Sequence, residues 1–243
     1  MTITPLGDSA LIVRSDEKSD DAPERTLREV LATKSAIERA RIRGVLECAS
    51  AYTTVAVFFD PTDAIAQGAR PDGVMEWFES HVREAIESTG PKGAPSPARQ
   101  FKVPMCCEGE FALDLKDVAV SARLTEREVI DLYCATDFQV RCIGFTPGFP
   151  YLAGLPEKLF TPRRSIPRTK IAAGSVAIGG GQAGIYPMVS PGGWNVIGRT
   201  PWLLFNPEEN PPALLRAGDS VRFKSIACAE FDALYEGSSV RPK

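Results

Sequence analysis

Between Ile143 and Phe205 the chain carries six cations, Lys158, Arg163, Arg164, Arg168, Lys170 and Arg199, against a single acid, Glu157, although the whole protein has a formal net charge of −3. Arginine presents a planar fork of donors that suits carboxylate, phosphate and carbonyl oxygens. Any one of these arginines, taken alone, reads as a solvated loop residue. The cluster and its missing acids point instead to a pre-organised site for an anion or a carbonyl. Histidine chemistry is nearly closed off, because His81 is the only histidine. It falls on an amphipathic pattern with Val74, Phe78 and Ala85 and reads as a partly buried structural residue. A serine or cysteine nucleophile paired with histidine would have to use it. Catalysis by this chain would rest on arginine, hydroxyl, carboxylate and backbone groups.

The cationic stretch is built on stiff and special backbone. From Ile143 to Asp219 lie eleven of the 20 prolines and twelve of the 20 glycines. Proline fixes φ, and glycine alone enters positive φ cheaply. Around this stretch the composition is that of an ordinary globular protein, 44% hydrophobic and 24% charged over 243 residues. The length suits one large or two small domains. No apolar run reaches the roughly 20 residues of a membrane span, and MTITPLGDSALIV does not read as a signal peptide. The expected location is the cytoplasm. Cys48, Cys106, Cys107, Cys134, Cys142 and Cys228 show no CxxC spacing and read as reduced, mostly buried thiols; no metal site is expected.

In chain order, Ile3 to Arg14 reads as a first strand with a turn or bulge at Leu6-Gly7-Asp8. A helix capped by Asp20 or Asp21 runs to Ala40, and two strands follow over Arg43 to Ala49 and Thr53 to Phe59. A second helix spans about Asp72 to Ile86. This order asks for one more strand to complete a split βαβ, ferredoxin-like sheet over residues 1–90. Residues 88–99 are crowded with Gly, Pro and Ser and read as a linker. Phe101 to Cys106 is either the missing strand or the first of a second domain over 100–243. Two helices are expected over Leu113 to Ala122 and Thr125 to Cys134, the second opened by a capping box of Thr125 and Glu128. Strands are then expected over Phe138–Ile143, Gly174–Ile178, Gly184–Met188, Trp194–Gly198, Trp202–Phe205 and Ser220–Phe223. Short strands at such spacing indicate a barrel. The fold class is therefore α+β.

Gly179-Gly180-Gly181-Gln182-Ala183-Gly184 matches the dinucleotide pattern G-x-G-x-x-G, but Tyr186-Pro187 blocks the helix that pattern needs. No acid occurs between Glu157 and Glu208 to hold a ribose. The glycines read as a tight β turn. No G-x-x-x-x-G-K-[ST] is present, so an ATP site in this chain would not be a P-loop. No basic helix or aromatic-studded cationic strand suggests nucleic acid.

Gly144-Phe-Thr-Pro-Gly-Phe-Pro-Tyr151, Pro162-Arg-Arg, Pro167-Arg-Thr169, Ala173-Gly-Ser-Val176, Tyr186-Pro187, Ser190-Pro-Gly-Gly-Trp194 and Ile197-Gly-Arg-Thr-Pro201 resemble the signature of the KipI family. Pro5-Leu-Gly-Asp8, Pro211-Pro212 and Ala217-Gly-Asp219 extend the match almost end to end. That family includes the B subunit of bacterial ATP-dependent 5-oxoprolinase and is also known as allophanate hydrolase subunit 1 or carboxyltransferase domain subfamily 1. The resemblance implies an N-terminal α/β domain followed by a cyclophilin-like β-barrel. It further implies two partner proteins, one KipA-like and one LamB/YcsF-like, with ATP used by the assembled complex to open 5-oxoproline to glutamate. The isolated chain is expected to be inactive.

On that reading Arg164, Arg168 and Arg199 are the catalytic candidates. Thr169, Ser175, Gln182 and Asn195 would supply polar contacts, and Phe145, Phe149, Tyr186 and Trp194 would wall a small substrate pocket. Two other roles fit the resemblance: inhibition of a sensor histidine kinase, and membership of an allophanate- or urea-degrading carboxyltransferase-type enzyme. The chain departs from the family pattern at Tyr133, where many relatives have histidine, at Cys107, where tyrosine is frequent, and at Ile171-Ala172, where Val-Pro is usual.

Overall fold

The computed structural model describes residues 1–16, 23–89 and 97–236. The expected helix cap at Asp20 or Asp21 and most of the expected linker lie outside the described residues. The chain divides into two compact units, Met1–Pro97 and Ala98–Lys243.

The first unit runs β1 (Thr2–Pro5), β2 (Ala10–Arg14), α1 (Pro23–Ala40), β3 (Val45–Ala51), β4 (Thr54–Phe59), α2 (Pro61–Ala66) and α3 (Val74–Thr89). Its sheet has the order β1-β2-β4-β3 and is antiparallel throughout. Ile3 to Arg14 is thus a hairpin, with Gly7 in the left-handed region at φ 65°. β1 takes the edge beside β2, and among the described residues no strand after α3 joins this sheet. The helices bury Leu27, Val30 and Ile37 from α1 and Val74, Phe78, Val82 and Ala85 from α3 at helical spacing. His81 stacks on Trp77 with ring centroids 3.9 Å apart, and its Nδ1 lies 2.7 Å from the Trp77 carbonyl. That is the structural role its position suggests.

The second unit runs β5 (Gln100–Cys106), α4 (Leu115–Ala122), α5 (Glu126–Ala135), β6 (Phe138–Ile143), β7 (Pro150–Ala153), β8 (Arg168–Ile171), β9 (Ser175–Gly179), β10 (Gln182–Ile185), β11 (Ser190–Gly192), β12 (Asn195–Arg199), β13 (Ser220–Ile226) and α6 (Cys228–Glu236). Seven strands close a barrel in the order β10-β7-β6-β13-β5-β12-β9, and β8 and β11 form a separate two-stranded ladder. Phe101–Cys106 therefore belongs to the barrel, where β5 pairs in parallel with β13 over its whole length. The start of that pairing is fixed by Asp219, fully buried, which accepts from Arg99 Nη2 at 2.5 Å and from the Arg216 backbone at 2.9 Å. The Ala217-Gly218-Asp219 turn is placed by this contact.

The glycine run forms the tight turn expected of it: Gln182 faces Gly179 across the β9–β10 hairpin, with Gly180 at φ 67°. Thr125 and Glu128 form the capping box that opens α5. Trp202–Phe205 is not a strand. Pro201 and Pro207 flank it, and proline cannot donate to a ladder, so only Phe205 makes a bridge, to Ala213. The ladder of β8 and β11, strand β7 and helix α2 carry patterns too short for the sequence to reveal, and α6 is a further element that the sequence does not lead one to expect.

Candidate functional site

The arginines are ordered by an acid from outside their own stretch. Asp114, 1% exposed, sits at the N-cap position of α4, yet its carboxylate makes no bond to that helix. It accepts instead from Arg164 Nη1 at 2.6 Å, from Arg168 Nη1 and Nη2 at 2.7 and 2.8 Å, and from the Val196 backbone at 2.8 Å. The Asp114 backbone N–H returns a bond to the Val196 carbonyl at 2.8 Å, which ties α4 to β12. The bond to Asp114 raises the pKa of Arg168 above its ordinary value. Two guanidinium groups thus share one buried carboxylate, and the charge of Asp117 also acts on Arg168.

The backbone of the same loop is fixed from the other side. Asn195 Nδ2 donates to the carbonyls of Pro162, at 2.9 Å, and Ile178, at 3.3 Å, and the Arg164 N–H donates to the Gly193 carbonyl at 2.7 Å. Asn195 is buried and acts on the loop, not on open space.

Phe149, Tyr186 and Trp194 form a buried aromatic cluster with Ile171, Ala177 and Val196. Phe149 meets Tyr186 and Trp194 edge-on at 5.2 and 5.5 Å, and Tyr151 at 5.0 Å. Burial pushes the Tyr186 phenol up, and the Trp194 backbone N–H partly offsets this. Gly192 has to be glycine here, because a Cβ would fall 2.3 Å from the Tyr186 hydroxyl oxygen. Phe145 stands at the edge of the cluster, exposed, in the left-handed region at φ 66°, with its ring edge-on to Phe149 at 5.5 Å. Arg163, one of the six cations of the stretch but not among the catalytic candidates, lies over the Trp194 ring at 5.7 Å.

Arg199 does not join the other two candidate arginines. It ends β12, three residues beyond Val196 and about 10 Å along the strand at ~3.3 Å per residue. Its Nε donates to the Ala173 carbonyl at 2.8 Å, and its guanidinium lies 5.8, 5.8 and 5.6 Å from the rings of Phe111, Phe231 and Tyr235. Two of the residues it touches, Ala173 and Tyr235, also line a pocket of about 310 Å³ with Gly174, Thr200 and Trp202, but Arg199 itself is not part of that lining. Ser175, buried, pairs with Arg199 across β9 and β12. Gln182 lies at the opposite end of β9, and Thr169 is exposed on β8. Apart from Thr169 and Gln182, which join none of them, the candidates fall into an Asp114 clasp, an aromatic cluster and an Arg199 corner.

Tyr133 is fully buried against Phe138 and Phe223, and its hydroxyl has no partner among the described residues. Burial drives its pKa well above the ordinary phenol range. Among the described residues no group of three or more His, Cys, Asp and Glu side chains could hold a metal ion. No described helix is long and apolar enough to cross a membrane.

Residues 1–215 match the carboxyltransferase domain, subdomain C and D. The chain is 40% identical over 239 residues to the B subunit of the 5-oxoprolinase of Bacillus subtilis (strain 168), covering 98% of each. Among solved structures, that of TTHA0988 superposes with a TM-score of 0.71 at 33% identity over 89% of this chain, which spans only 39% of the TTHA0988 chain. PH0987 from Pyrococcus horikoshii matches with a TM-score of 0.54 at 35% identity, over 95% of this chain and 100% of that one.

Proposed function

Because the chain belongs to the carboxyltransferase domain, subdomain C and D, family, we propose that it is the B subunit of a multisubunit 5-oxoprolinase that uses ATP to open 5-oxoproline to glutamate. The observation that carries this reading is 40% identity over 98% of both chains with a protein of that name. The partners in the proposal are a KipA-like and a LamB/YcsF-like protein, and ATP is handled by the assembly. In fold terms we read the first unit as a ferredoxin-like variant and the barrel as cyclophilin-like.

A lactam carbonyl is a poor electrophile, and breaking its C–N bond with water to give the carboxylate and amine of glutamate would be helped if ATP passed its terminal phosphoryl group to the carbonyl oxygen or an attacking group, with ADP released first and inorganic phosphate leaving once water has added. Negative charge then develops, and fixed cations stabilise it at no reorganisation cost. Arg164 and Arg168 are both spent on the Asp114 carboxylate. We assign them to positioning the loop, with Arg199 as the candidate arginine not paired with an acid among the described residues. The chain by itself is proposed to be inactive.

The test is capture of a tagged chain with its neighbouring gene products, followed by measurement of their association. A stable complex containing this chain is expected. A chain that stays alone when co-expressed with both partners would refute the proposal.

A further inference from the structure

We propose that Cys106 and Cys228 form a redox-active dithiol, a site at which exchange with a low-molecular-weight disulfide ties the start of α6 to the end of β5. Strand geometry selects the pair. Successive side chains on an extended backbone point to opposite faces, so the adjacent Cys106 and Cys107 part company. Val103, Met105 and Cys107 pack at period-two spacing in the core of the barrel, whereas Cys106 joins a separate small cluster with Ile226 and Phe231. Cys106 faces Ile226 of β13 on one side and Arg199 of β12 on the other. Two residues beyond Ile226, Cys228 brings its Sγ to 3.1 Å from the Cys106 Sγ. Closing that gap to a covalent S–S bond takes a movement of about 1 Å. The two residues are 122 positions apart, so the contact is made by the fold and not by the local chain.

The two thiols differ in access, and that assigns their roles. Cys106 is fully buried and Cys228 half-buried. Cys228 is therefore the thiol that a small disulfide meets, and Cys106 stands behind it as the resolving thiol. In the exchange the Cys228 thiolate attacks one sulfur of the small disulfide and expels the other half as a thiolate. Cys106, deprotonated in turn, attacks the Cys228 sulfur of the mixed disulfide and expels the second half. The protons of Cys228 and Cys106 end on the two small thiols released. The protein pair loses two electrons, and the small disulfide takes up the same two. The hydrogen bond to Cys106, burial and the Glu108 carboxylate 3.5 Å away hold Cys228 protonated, so the first attack is slow and the pair stays reduced until small disulfides are abundant. The new bond closes a loop over most of the unit Ala98–Lys243 and fixes α6, whose Phe231 packs in one cluster with Cys106.

The dithiol stands apart from the 5-oxoprolinase reading and survives its failure. The test is incubation of the full chain with glutathione disulfide, then unfolding, alkylation of the remaining thiols and peptide mapping by mass spectrometry without reductant. A peptide pair cross-linked through Cys106 and Cys228 is expected, with Cys48, Cys107, Cys134 and Cys142 recovered as alkylated thiols. Because the bond closes so long a loop, the oxidised chain should melt about 5 °C or more above the reduced one, and a dithiol reductant should return it. Cys228→Ser is expected to melt at one temperature before and after glutathione disulfide. Cys106→Ala, which removes the resolving thiol, is expected to keep glutathione on Cys228 as a stable mixed disulfide. Should Cys106→Ala fail to fold, the wild-type map and Cys228→Ser decide. The proposal is overturned if the wild type keeps all six thiols, if it carries a lasting glutathione adduct on Cys228 without the cross-link, if the cross-link joins other cysteines, or if the Cys106–Cys228 bond forms and leaves the melting temperature unchanged.

Discussion

Arg168 lays both terminal nitrogens of its guanidinium on the carboxylate of Asp114, 54 positions earlier in the chain, at 2.7 and 2.8 Å. Arg164 shares the same carboxylate at 2.6 Å. The contact joins the start of α4, the loop before β8 and strand β12, and it makes Asp114 the residue on which the cationic loop depends.

Asp114→Asn keeps the shape and removes the charge from a side chain that is 1% exposed. Breaking a buried pair from one side costs about 3–5 kcal/mol, and the partial exposure of the two arginines places the expected loss near ~3 kcal/mol. Thermal melting should record a fall of about 6–12 °C. A melting temperature equal to that of the wild type would remove Asp114 from its central place.

Arg168→Lys exchanges a two-point contact for a single one, whereas Arg164→Lys gives up a contact that was single from the start. We expect the Arg168 variant to be the less stable of the two, by about 1 kcal/mol. In the assembled enzyme its activity should fall in step with its melting temperature. A steep loss of turnover in Arg168→Lys with unchanged melting would mean that Arg168 meets the substrate directly.

Tyr133→Phe removes a hydroxyl that is buried without a partner among the described residues. Stability should stay level or rise by up to about 1 kcal/mol, and the complex should keep its turnover. Loss of activity with the fold intact would return this position to the chemistry.

Cys228 Sγ lies 3.1 Å from Cys106 Sγ and 3.5 Å from Glu108 Oε2. These contacts, with burial, push its thiol up from 9.0 to about 12. Only the thiolate is alkylated, so a raised pKa means a smaller reactive fraction at neutral pH and a gain of about tenfold per pH unit. Alkylation followed by mass spectrometry should show Cys228 slower than a free thiol at pH 8, and still accelerating where an ordinary thiol has levelled off. Glu108→Gln should speed it. A plateau near the ordinary thiol pKa would contradict the geometry.

The parts of the fold that the sequence revealed are those written in local chemistry. Gly180 and Gly181 make the β9–β10 turn, Thr125 and Glu128 open α5, and the 3/4 spacing of Val74, Phe78, Val82 and Ala85 sets the face of α3. The site was legible only as a composition, six cations with one acid. Its organisation depends on contacts distant in sequence, and Asp114 hides where an aspartate is ordinarily read as a helix cap. Likewise, the aromatic box of Arg199 draws Phe111 from before α4 and Phe231 and Tyr235 from α6, none of which carries a motif. Grouping Arg164, Arg168 and Arg199 by proximity in the signature therefore joined two separate corners of the barrel.

The central claim is that this chain is a necessary component of an ATP-dependent 5-oxoprolinase. Its most direct measurement is glutamate release from 5-oxoproline by the KipA-like and LamB/YcsF-like partners, with ATP, with and without this chain. Release should require all three proteins and ATP, with the single chain inactive. Equal release when this chain is left out, or ATP-dependent release by this chain alone, would contradict the claim.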